Sequence, residues 1–114
     1  MDNIELIDTA LSNALDSIPV RYGWYDENIN ETHVTFILLN EDVEGYSDDE
    51  DEITGTEFQV DIWSRDNVED LKKQIKKALK AIDCTFLQGQ DQYEEDTKIY
   101  HKALRFFILN EESE

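Results

Sequence analysis

The sequence predicts an α+β fold: one domain in which two helices cover one face of a mainly antiparallel sheet of about 4–5 strands. Three observations carry that expectation. Residues 58–62 alternate as Phe58, Gln59, Val60, Asp61, Ile62, the period of a strand. Directly afterwards Val68, Leu71, Ile75, Ala78, Leu79 and Ile82 recur at helical spacing. The length of 114 residues suits a single domain spanning 1–114, enough chain to bury roughly two thirds of its unfolded surface.

In chain order, residues 3–18 carry an apolar stripe of Ile4, Ile7, Leu11, Ala14, Leu15 and Ile18, with Asp2 placed to cap a helix and Pro19 to end it. Val20 to Tyr25 is a short aromatic strand, followed by an Asn- and Asp-rich turn. The next strand, His33 to Leu39, puts Val34, Phe36 and Leu38 on one face and Thr35, Ile37 and Leu39 on the other. Residues 40–55 read as a long acidic loop, in which Asp48, Asp49, Glu50, Asp51 and Glu52 repel one another. The second helix is expected over 66–82, with Asp66 and Glu69 as a capping box. Cys84 to Gln88 and Ile99 to Leu109 complete the sheet, a polar segment lies between them, and the acidic tail 110–114 frays. The resulting order is α-β-β-β-α-β-β.

Charge narrows the function. The chain carries 28 acidic and 10 basic residues, a formal charge of -18, so general binding to nucleic acid is disfavoured. The distribution is uneven. Five of the basic residues, Lys72, Lys73, Lys76, Lys77 and Lys80, fall on the second helix, and eight acids lie between Glu41 and Glu52. The first residues hold acids where a secretory signal is basic, and no apolar run approaches the roughly 18 residues of a membrane span. A cytosolic protein is expected, with no membrane partner.

The sequence carries no recognisable reaction. His33 and His101 are far apart in the chain, and each sits in a strand pattern that favours a hydrogen-bonded structural role. Cys84 lacks cationic neighbours and is expected to be a buried, inert thiol. No phosphate-binding glycine loop, dinucleotide fingerprint or zinc-protease motif is present, and the acidic run departs from the order of a calcium-binding loop. No cofactor, metal or catalytic residue is expected. Helices dry only one face of the sheet, so Trp63 and Phe107, with Ile37 and Leu39, should form an exposed apolar patch that docks onto another subunit or partner.

The carboxy-terminal half also resembles a known family. FQVDIWSRD, a Lys-rich helix ending in KALKAID, and QGQDQYEEDTKIYHKALRFFI are similar to the tail-completion, or head-to-tail joining, proteins of long-tailed bacteriophages. The matching positions are Val60, Asp61, Ile62 and Trp63, then Tyr93, Asp96 and Thr97, then His101 and Lys102. The resemblance implies a structural, non-enzymatic virion protein. It would form a ring, commonly hexameric, on the head-proximal end of the tail tube, with itself, the tail tube protein and a head connector or head-completion protein as partners. It would assemble in the host cytoplasm and then reside at the head–tail junction. Interface residues would be Ile37, Leu39, Trp63, Lys72, Lys73, Lys76, Lys77 and Phe107, and the acids of 48–52 would approach the channel and repel passing DNA. The competing expectation is an acidic inhibitor that mimics DNA and binds a basic host protein.

Overall fold

A computed structural model of the chain describes residues 2–23, 31–44, 54–64, 68–94 and 99–109. The acids Asp48, Asp49, Glu50, Asp51 and Glu52, together with Asp66, Asp96, Thr97 and the tail, lie outside the described residues.

Helix α1 (Asn3–Leu15) starts where Asp2 accepts a hydrogen bond from the Glu5 amide at 2.8 Å, as its sequence promised. It stops at Asp16, whose φ of 44° leaves the helical region, three residues ahead of Pro19. Ile7, Leu11 and Leu15 are buried, whereas Ala14, placed on the same stripe by its spacing, is exposed. Strand β1 is only Val20–Tyr22, and Trp24 and Tyr25 fall outside the described residues.

Strand β2 (His33–Glu44) and strand β3 (Thr54–Ser64) reach into the span expected to be loop. The composition of residues 40–44 argues for a loop, but their pairing continues to Glu44↔Thr54, with register shifts between Leu38 and Asn40 and between Asn40 and Val43. Backbone hydrogen bonding with a partner strand outweighs local propensity here, and the shifts absorb the extra β2 residues. Strand β4 (Cys84–Glu94) likewise runs past Gln88, paired along its length with β5 (Ile99–Leu109).

Helix α2 (Glu69–Lys80) starts later than expected. Val68 is its cap and makes no side-chain cap bond. Glu69 is engaged elsewhere: its carboxylate accepts from Lys102 Nζ of β5 at 2.7 Å, tying the first turn of α2 to the sheet.

The sheet order is β1-β2-β3-β5-β4, with β1 parallel to β2 and every other pair antiparallel. This is the expected α+β class, with the expected element order. Facing the helices, the rows Val34–Ile62, Phe36–Val60–Leu104 and Phe58–Phe106 meet Ile7, Leu11 and Leu15 of α1 and Leu71, Ile75 and Leu79 of α2 in one core. Each such side chain stabilises the fold by about 1.5–3 kcal/mol through burial. Phe58 and Phe106 stack with centroids 5.5 Å apart. Helix α1 packs against β1 and α2 against β4, so the two helices lie side by side over opposite flanks of the sheet.

Candidate functional site

The face of the sheet turned away from the helices gathers the residues that the sequence singles out, and register explains how. Trp63 pairs with His33 on one side and His101 on the other, so the two histidines share one row although 68 positions apart in 114. The indole stacks on His101 at 3.8 Å between centroids and 7° between planes, and on His33 at 6.2 Å and 14°. Its Nε1 donates to Thr35 Oγ1 at 3.0 Å. Trp63 is therefore buried within the single chain, which corrects the expectation that it stands exposed. Two flat imidazoles close over an indole, and this could not be read from the period of any one strand.

Asp61 anchors the next row. It is fully buried, with Oδ1 2.7 Å from His101 Nε2 and accepting from Gln59 Nε2 at 2.9 Å. Among the described residues Oδ2 has no hydrogen-bond partner. Gln59 in turn accepts from Arg105 at 3.5 Å. A buried carboxylate is tolerated only with strong donors, and His101 and Gln59 supply them. The arrangement is a brace: Asp61 fixes the imidazole edge, and Trp63 covers its face.

Phe107 is the second correction. It is buried at 7% exposure because β3 carries Gly55 beneath it. A Cβ on Gly55 would collide with the Phe107 ring and lie 2.6 Å from the Ile108 carbonyl oxygen. The glycine makes room for the ring, which covers the bare backbone. The large aromatics of this face are thus absorbed intramolecularly, and Ile37 and Leu39 remain half-buried on β2.

The expected interface residues do not come together. Lys72, Lys73, Lys76 and Lys77 lie on α2, on the other side of the sheet from Ile37, Trp63 and Phe107. Lys76 is already in use within the chain, its Nζ 4.2 Å from the centre of the Phe86 ring. Of the positions that carry the family resemblance, Val60 is core, Asp61 and His101 form the brace, and Lys102 holds α2. Tyr93 falls on the β4 backbone opposite Tyr100. Sequence reasoning did not find Thr35, Gln59 or Arg105 as members of this network. Their signal is positional, since each lies on the row of Asp61 or Trp63 or one row away, and it becomes visible only with the register.

Cys84 is buried, as expected of an inert thiol. Among the described residues no group of three His, Cys, Asp or Glu side chains is placed to hold a metal ion. No helix among them is long and apolar enough to cross a membrane.

No family model matches the sequence, and no curated protein is similar to it. Among solved structures, a chain from the "Virion of native gene transfer agent (GTA) particle" aligns over 88% of this chain and 83% of that chain, at 17% identity and a TM-score of 0.47. That likeness is too distant to bear on function.

Proposed function

We propose that the protein is a structural virion subunit of the tail-completion type, which assembles with copies of itself into a ring at the head-proximal end of a tail tube. The observation that carries this reading is the flank of the sheet that the described residues leave open. Strand β4 is an edge strand of 11 residues, and Thr85, Leu87, Gln88, Gly89 and Gln90 along it are all exposed. A long edge with no Lys or Pro along those positions invites pairing, and a closed ring gives each edge a neighbour. Val60, Asp61, His101 and Lys102, at positions similar to tail-completion proteins, serve as struts, which suits a part whose task is shape. The tail tube protein and a head connector are the partners that such a ring would bridge.

The test is direct. Purified protein is mixed with tail tubes of the same particle and viewed by electron microscopy. The reading expects a ring on one end of each tube and arrested tube growth. Unmodified tube ends, together with stoichiometric recovery of a basic nuclease or polymerase from host lysate, would replace it with the DNA-mimic reading.

A further inference from the structure

The helical layer is divided electrically, and the division matches the geometry of a repeating contact. On α2, Lys73, Lys77 and Lys80 are exposed. Lys73 and Lys77 are four apart, a spacing at which like charges destabilise a helix. On α1, Glu5 and Asp8 are exposed, Asp16 follows at its end, and the helix contains no Lys or Arg. The two helices touch, yet the ion pairs among the described residues are His101–Asp61 and Lys102–Glu69, neither of which joins them. The two charged rows therefore face outward.

Resting on the self-assembly reading, we propose that these rows meet between subunits: the lysines of α2 in one copy dock against the acids of α1 in the next. Helix α2 flanks β4 and α1 flanks β1, which are the opposite edges of the sheet. One copy thus offers a basic flank and an acidic flank, and the contact is head-to-tail, the kind that closes into a ring. The complementary charges would steer approach and fix orientation, while the exposed β4 edge comes alongside the neighbour's β1 flank. A second copy is favoured over nucleic acid because the chain as a whole carries -18, which repels a polyanion at any distance where the five lysines do not dominate.

The test is a charge swap on the full chain. Lys73→Glu/Lys77→Glu and Glu5→Lys/Asp8→Lys are prepared separately, with Lys73→Gln/Lys77→Gln as a milder variant, and folding is checked by circular dichroism. Analytical ultracentrifugation then compares each variant alone with a 1:1 mixture of the two charge-reversed proteins. Each reversed variant should associate about tenfold or more weakly than the natural chain, and the mixture should regain oligomers containing both proteins. Natural-chain assembly should weaken as ionic strength rises from about 0.05 to 0.5 M. If the natural chain forms rings and folded variants of all three kinds form them equally well, the contact is wrong while the ring reading stands. If the mixture fails to recover, the pairing of α1 with α2 is wrong. A natural chain that stays monomeric with and without tubes overturns both, as does duplex DNA binding that the Lys73 and Lys77 substitutions abolish.

Discussion

Asp61 shows how little the position of a residue says of its environment. Its alternation with Val60 and Ile62 places it on the face away from the helices, and there it is fully buried against His101 and Gln59. The donors come from β5 and from two positions back on β3, and only pairing brings the first of them near. Asp61→Ala should destabilise the fold by about 1–3 kcal/mol in urea unfolding, since it strands the part-buried donors of His101 and Gln59. Lys102→Met should cost less, about 1 kcal/mol or under, because Glu69 is largely solvated and Met keeps the apolar stem. Cys84 gives a pH prediction. Burial and the neighbouring Asp83 carboxylate push its thiol from the ordinary 9.0 up to about 12. Between those values the folded chain keeps a proton that the unfolded chain releases. The stability is fully present below pH 9 and is lost as pH rises toward 12. The urea midpoint of the natural chain should fall over that window more than that of Cys84→Ala.

At the scale of elements, the central strand β3 and helix α2 were the most legible, because each buries one regular stripe: Phe58, Val60 and Ile62, then Leu71, Ile75 and Leu79. The far ends of β2 and β4 were not. Residues 40–44 are polar and 88–94 rich in Gln, and both become strand because a partner offers backbone hydrogen bonds along their length. The far face was legible only as apolar content. Its chemistry depends on the β2–β3–β5 register, which aligns His33, Trp63 and His101. Gly55 and Phe107 test that account. Gly55→Ala should cost about 1–3 kcal/mol through overpacking, and Phe107→Ala in the same chain should recover part of the loss. Additive losses in a double-mutant cycle would mean that ring and glycine are independent.

For the whole molecule, the proposed ring has to set contacts between subunits against their like charge. A net charge of -18 keeps free subunits apart, and in the proposed ring the β4 edge and the charged helix flanks are where a neighbour would offset that repulsion. The large aromatics Trp63 and Phe107 serve the subunit's own fold, so a stable, folded monomer can exist before assembly. The proposed ring stands or falls on whether this chain closes into an oligomer. Native mass spectrometry, with and without tail tubes, tests it most directly. A ring-forming subunit should give a single closed oligomer, alone or on tubes, in equilibrium with folded monomer. A strict monomer that ignores tubes would contradict it.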